Sequence, residues 1–320
     1  MAVTLADAQK LTQDKLTNFV IDEFRKDPIL DLLTFDDNVA MGGGSTLAYV
    51  YNRVTTLPTA ATRALNNEYV AKEAATSQII ANLKVFGGSF NVDRVIANHV
   101  KGVSDQISFQ LAQKILATRA LFADLFVNGD SAVDENAFDG LNKAITGSST
   151  EANTVAAIDL SSSANVDSNF KIFMDALDLW IASMDGTPNA LVVNRRMKSL
   201  FNAVARRSSY FTNSEDAFGR KVLSYDGIQF IEVGDKPGTS NPIIPISADA
   251  GTLGETSIYA VRFGLDAVHG VTPDGSNLVS TYLPDLSAPG AVKTGEVEMV
   301  ACMALKATRS AGAFRRVKVS

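Results

Sequence analysis

Between residues 92 and 127 the apolar side chains Val100, Val103, Ile107, Leu111 and Ile115 recur at steps of three and four. Leu121, Phe122, Leu125 and Phe126 continue the same face. That period matches the turn of an α-helix, so the spacing predicts one long amphipathic helix. Asn91 or Asp93 stands where a cap is needed, and Asn128-Gly129-Asp130 stops the run. At 1.5 Å per residue the helix would be about 50 Å long, with Gly102 weakening it locally.

Upstream, Leu5, Ala8, Leu11, Leu16, Phe19, Val20 and Phe24 form a looser helical stripe that Pro28 breaks, and "DPILDLLTFDDNV" reads as an extended exit. The stripe packs on its own domain or on another subunit, and the sequence leaves both open. Residues 41–90 are patterned as two extended arms about a polar middle. The outgoing arm, Leu47 to Val54, is aromatic and β-branched, and the returning arm is "QIIANLKVFGGSF". The middle is rich in Thr, Ala and Asn and has too few large apolar groups for a core, which predicts a long projecting loop.

Downstream of the long helix, residues 146–168 read as loop. A second helix is predicted over residues 169–184, with Phe170, Phe173, Leu177, Trp180, Ile181 and Met184 inward. "ALVV" is a short buried strand, and Asn194 caps a helix bearing Met197, Leu200, Phe201 and Val204. "KVLSYDGIQFIEVGD" places two strands around an Asp226-Gly227 hairpin turn, and "SIYAVRFGLDAVHGV" reads as another strand pair. Between them lies a Pro/Gly-rich loop at 235–255. The last stretch starts as an alternating strand, with Val297, Met299, Ala301 and Met303 opposite Glu298, Val300, Cys302 and Ala304, and ends in a second short strand.

The run Gly42, Gly43, Gly44, Ser45, Thr46 invites a phosphate-cradle reading. A P-loop has a strand before its glycines and a Lys-Ser or Lys-Thr opening a helix after them. Here a strand follows and no lysine closes the motif. A turn or hinge fits better, because glycine accepts positive φ. Gly87 and Gly88 stand at the other root, so the expectation is a loop hinged on both sides.

Composition narrows the function. The 320 residues suggest roughly two domains as a prior, and 46% are hydrophobic and 20% charged, as in a globular protein. No apolar run is long enough to span a membrane, and the N-terminus lacks a signal-peptide core. The net charge of −6, with dispersed basic residues, argues against sequence-specific nucleic-acid recognition. Cys302 is the sole cysteine, which excludes an internal disulfide. His99 and His269 are the only histidines and neither lies near an acid pair, so hydrolase chemistry lacks support. "NGDSAVDEN" departs from a calcium loop and reads as a solvated turn. No cofactor or metal is expected. Arg53, Arg63, Glu68, Lys72, Glu73 and Lys84, of both signs on a loop with little else to fix it, are candidate inter-subunit ion pairs.

The order of these parts resembles the major capsid protein of tailed bacteriophages, with its Hong Kong 97-like fold. The parts are an N-terminal arm, a glycine-rooted extended loop, a long spine helix, "NGD…FDGL", "ALVVNRRMKSLF", "LSYDGIQFIEVGD", "IYAVRFG" and a C-terminal strand. The resemblance implies an α+β fold divided into an arm (1–40), an extended loop (41–90), a peripheral domain (91–145 and 291–320) and an axial domain (146–290). It implies a non-enzymatic shell protein that assembles with itself into pentamers and hexamers around double-stranded DNA. Portal and a separate scaffolding protein are the implied partners, the host cytoplasm the place of assembly and the virion the destination. No scaffolding segment precedes the arm, so its proteolysis is not expected. Some family members cross-link a loop lysine, but nothing local activates Lys72 or Lys84. An encapsulin-type compartment shell is the alternative, and a cytosolic enzyme a weaker one.

Overall fold

The computed structural model describes residues 29–39, 47–95, 103–208, 212–215, 221–246, 254–273 and 278–320. After a helical turn at Ile29–Leu32 the chain forms β1 (Phe35–Val39), β2 (Ala48–Thr56), β3 (Ala75–Asn82) and β4 (Lys84–Asp93). Helices α1 (Val103–Asn128) and α2 (Leu141–Ile145) lead to β5 (Glu151–Asp159), α3 (Ser163–Ala182), β6 (Ala190–Val193) and α4 (Arg195–Ser208). Strands β7 (Thr212–Glu215), β8 (Lys221–Tyr225), β9 (Ile228–Glu232), β10 (Glu255–Val261), β11 (Val268–Pro273), β12 (Ser280–Tyr282), β13 (Val292–Leu305) and β14 (Ala311–Lys318) complete the chain.

These strands make two sheets and a ribbon. A seven-stranded sheet runs β5-β14-β10-β6-β9-β8-β7. A five-stranded sheet is built around β13, which pairs antiparallel with β4 from Val292↔Asp93 to Ala301↔Lys84. Its other edge takes β12 and then β11, with β1 parallel to β11. β2 and β3 pair only with each other.

The larger sheet is covered on both faces, and β6 shows how. Leu191 and Val193 join Phe173, Leu177, Met197 and Phe201 from α3 and α4. Ala190 and Val192 point the other way, to a cluster holding Phe122, Phe126, Leu141 and Met299. A strand buried on both sides reads in sequence as an unbroken apolar run, as "ALVV" does. In the second cluster Phe35, Phe86, Phe122, Phe126 and Phe138 lie with neighbouring ring centroids 5.8–6.3 Å apart, tying β1, β4 and α1 together. Such aromatic pairs add about 0.5–1.5 kcal/mol each beyond the burial of area.

Several local expectations hold. Asp226 (φ 49°) and Gly227 (φ 78°) make the tight turn between β8 and β9, and Asn194 Oδ1 accepts from Met197 N–H at 2.8 Å at the start of α4. β13 alternates through Ala301 as expected, then is buried on both faces to Leu305.

Other expectations are corrected. The helix expected over 92–127 does not start at 92: Asn91 and Val92 lie in β4 with Asp93 at its end, because Phe90 and Val92 are buried at a period of two against β13. Asp93 does cap the residues that follow, its carboxylate accepting from Val95 N–H at 2.7 Å. The described helix α1 has 26 residues, about 39 Å at the α-helical rise. The supposed loop at 146–168 contains β5 and the start of α3, with Ser162 Oγ accepting from Asn165 N–H. Residues 29–32 are a helical turn rather than an extended exit.

β10 and β11 do not form a hairpin; the chain passes from one sheet to the other between them. The division at 145/146 and 290/291 is crossed likewise. β11 and β12 lie in the sheet of β4 and β13, and β14 returns to the sheet of β5, β6 and β10. The N-terminal stripe Leu5–Phe24, Gly42–Gly44, His99 and Gly102 lie outside the described residues.

Candidate functional site

Among the described residues, the two-stranded ribbon and its tip form a long exposed stretch. Side chains alternate along it. Tyr49, Tyr51, Arg53, Ile79 and Ala81 turn inward and are partly buried, whereas Val50, Val54 and Ile80 turn outward and are 46–57% exposed. Val50 and Ile80 are direct cross-strand partners, so the outer face carries an apolar pair left exposed by the described residues. Every residue from 54 to 76 is exposed, including Leu57, Leu65, Tyr69 and Val70. An isolated two-stranded hairpin is marginal in water, so this ribbon needs its root fixed and its outer face covered.

The root is fixed by alternate residues of β2. Tyr49 donates its hydroxyl to Asp36 Oδ2 at 2.9 Å, and Tyr51 to the Leu305 carbonyl at 2.8 Å. Arg53 donates to the Lys306 carbonyl at 3.0 Å and also to that of Leu305. Lys306 Nζ lies 5.4 Å from the centre of the Tyr49 ring. Burial raises the pKa of Tyr49, with the Asp36 carboxylate adding to it, and burial likewise raises that of Tyr51. Both phenols therefore remain protonated donors. The sequence alone does not single out Tyr49, Tyr51, Asp36 or Lys306; the available signal is the period-two run Tyr49, Tyr51, Arg53.

The expected site residues part company here. Gly87 and Gly88 are not at the root of the loop. They lie within β4, opposite Glu298 and Val297, and Gly87 is there because a side chain would strike the Val297 carbonyl. The returning root is instead Leu83, buried, whose N–H donates to the Leu47 carbonyl at 2.8 Å. Arg53 is spent within the chain. Arg63 closes the tip turn on the Asn67 carbonyl at 3.0 Å and stacks over Tyr69. Lys84 donates to the Glu135 carbonyl. Glu68, Lys72 and Glu73 are exposed at the tip and make no ion pair with any described residue.

Between the ribbon and residues 131–144 lies a cleft of about 340 Å³, lined among others by Tyr51, Arg53, Phe138, Lys143 and Cys302. Lys143 sits 2.6 Å from Asp130, within "NGDSAVDEN", and 3.0 Å from Asp139 beyond it. Burial pushes the Cys302 thiol up to about 12, so it is packing rather than a nucleophile. Among the described residues no three His, Cys, Asp or Glu side chains converge on a metal position, and no helix is long and apolar enough to cross a membrane. A further uncovered stripe lies on α1, where Ile107, Leu111 and Ile115 are only partly buried.

No protein-family model matches the chain, and no curated protein matches it in sequence. Solved structures do match in fold. The holo-SrpI encapsulin complex from Synechococcus elongatus PCC 7942 is similar at a TM-score of 0.67 and 14% identity, over 100% of this chain and 98% of its own. The capsid of Myoviridae phage XM1 is similar at 0.57 and 12%, over 99% of both chains. The capsid of a native GTA particle matches at 0.57 and 12%, over 98% of this chain and 100% of its own. The matching structures are mainly phage capsid proteins. The chain has the Hong Kong 97-like fold that these capsid and shell proteins share.

Proposed function

We propose that this chain is a structural, non-catalytic shell protein, the major capsid protein of an icosahedral phage head. Copies assemble into pentamers and hexamers in the host cytoplasm and enclose double-stranded DNA, which the acidic chain contacts without sequence preference. Portal and a separate scaffolding protein complete the head. The observation that carries the reading is the ribbon, with its exposed Val50–Ile80 pair and its wholly exposed tip, on a fold matched end to end by shell proteins. A lone chain leaves that apolar face in water; a neighbouring copy covers it. Many such modest contacts, repeated with closed symmetry, yield a durable shell. On the returning side of the ribbon β4 holds the chain to β13.

Negative-stain electron microscopy of the purified chain tests this reading: closed particles are expected, and a chain that stays monomeric at high concentration overturns it. A second reading, a compartment shell around cargo protein, is favoured by the match to the encapsulin over the full length of this chain. Nucleic acid rather than protein inside recovered particles distinguishes the first from the second.

A further inference from the structure

His269, in β11, is wholly buried, and neither ring nitrogen reaches a hydrogen-bond partner among the described residues. Its ring meets that of Tyr49 edge-on, with centroids 5.7 Å apart and planes at 80°. Tyr49 is the first anchor of the ribbon, so the imidazole lies directly beneath the root. Several ionisable groups surround it. They are Tyr49 on β2, Asp36 on β1, Lys306 just beyond β13, Asp266 just before β11, and the Cys302 thiol two residues from its cross-strand neighbour Ala304.

A neutral imidazole can rest in this place, but a protonated one would be unsolvated and beside an ammonium. Burial, with the Lys306 charge adding to it, holds the pKa of His269 below its ordinary value, against the smaller pull of Asp36, the Ala267 carbonyl and Asp266. The surrounding sheet is rigid: β11 is paired on both edges, to β1 and β13. The ribbon has no such ladder: among the described residues β2 and β3 pair only with each other, and side chains alone hold their root to the sheet. What yields when the imidazole gains a proton is therefore the Tyr49 side.

We propose that His269 is an acid-operated latch for the ribbon: protonation unseats Tyr49 and frees the ribbon root from the five-stranded sheet. The sign follows from linkage. A base whose pKa is lower when docked than when hydrated binds its proton more tightly in the open form, so the docked form loses stability as pH falls through the ordinary imidazole range. Each unit of difference makes opening about tenfold easier. The latch belongs to one chain and does not depend on the assembly reading.

Cys302 supplies the reporter. It is the only cysteine, it is buried, and it lines the cleft that Tyr51 and Arg53 close. The experiment measures its attack on the disulfide of 4,4′-dithiodipyridine, which releases 4-thiopyridone and proceeds even in mild acid, at about pH 7 and about pH 5, relative to the urea-unfolded chain at each pH. Wild type is expected to react several-fold faster in acid with its far-ultraviolet circular dichroism unchanged. His269→Gln is expected to show no such rise. Lys306→Met, which removes the like charge, should react faster at neutral pH but with a smaller acid-to-neutral ratio. An absent rise in wild type, a rise that accompanies global unfolding, or an undiminished rise in His269→Gln overturns the latch. Should His269→Gln not fold, an undiminished ratio in Lys306→Met overturns it.

Discussion

The carbonyl oxygen of Val297 stands 1.9 Å from the point that a β-carbon on Gly87 would occupy. The neighbouring Gly88 is different: the nearest atom to its added β-carbon is the Lys114 ammonium, 3.2 Å away at the end of a flexible side chain. Two adjacent glycines thus answer to different causes, the first to backbone approach and the second to nothing rigid. Gly87→Ala is expected to cost about 3 kcal/mol, the upper end for overpacking, because a backbone must shift. Gly88→Ala should stay within about 0.5 kcal/mol of wild type. Urea denaturation midpoints of the two variants check this, and equal values would remove the close-approach account.

Arg53 holds the ribbon root through main-chain carbonyls, so its loss should be felt locally. Arg53→Ala is expected to weaken the root by about 1.5–3 kcal/mol, the usual range for hydrogen bonds from a charged donor. Amide exchange in β2 and β3 should accelerate while that of β6 and β10 stays slow. Arg53→Lys should restore little, because the paired carbonyls of Leu305 and Lys306 suit a forked guanidinium rather than a point charge.

How much of this was legible follows from where each partner lies in the chain. The Asp226-Gly227 turn, the buried run "ALVV" and the Asn194 cap depend on residues within a few positions, and sequence patterns report such neighbours well. β5 does not: it lies at the edge of its sheet and pairs parallel with β14, and in EANTVAAID the strand-favouring Thr154, Val155 and Ile158 stand among Ala, Asn, Glu and Asp, which favour a strand only once that partner is present. β10 and β11 each look like strands, but local sequence says nothing about which sheet each joins. The ribbon is legible as an extended loop. The anchoring of Arg53 was not, because its acceptors are 252 and 253 residues away. Gly87 was read as a hinge for the same reason: the strand that demands its bare backbone follows some 210 residues later.

Arg315 and Glu151 make a nearly buried ion pair across β14 and β5, their side chains 9% and 14% exposed. Arg315 also donates to Asn142 Oδ1 at 2.7 Å and Thr146 Oγ1 at 3.0 Å, joining α2 to the larger sheet. Arg315→Met should therefore destabilise the chain by about 3–5 kcal/mol, mostly because Glu151 is left buried without its counter-charge. Adding Glu151→Gln to that variant should recover part of the loss, which a double-mutant cycle by chemical denaturation measures.

The Lys143 cluster sets an acid response distinct from that of His269. The Lys143 hydrogen bond holds the Asp130 pKa below its ordinary 3.8. Burial works against Asp139, yet hydrogen bonds from Ser131 and Lys143 still leave it lowered. A carboxylate with a depressed folded pKa contributes stability that is fully present above the unfolded value and lost as pH falls through the folded one. Wild type should thus lose this contribution only below about pH 3.8. Lys143→Met should flatten that limb of the stability–pH curve, read from thermal midpoints across the acid range.

Glu68, Lys72 and Glu73 are the tip charges that the chain leaves without a described ion-pair partner, so they separate folding from association. Reversing them, as Glu68→Lys with Lys72→Glu, keeps the net charge and touches no described contact; the stability of the isolated chain should move by less than about 0.5 kcal/mol. If the tip meets a neighbouring copy, the same change puts like charges where opposite ones met, and that costs specificity and encounter rate more than fold. Particle formation by light scattering should then slow in the double reversal, with the deficit shrinking as salt rises, since exposed charges are screened over about 8 Å at physiological ionic strength. Outer-face substitution Ile80→Ser should impair the same process without the salt dependence, because it removes an apolar contact from the Val50–Ile80 pair rather than an ionic one. Unchanged assembly in both variants would mean that the ribbon projects toward something other than a second copy of this chain.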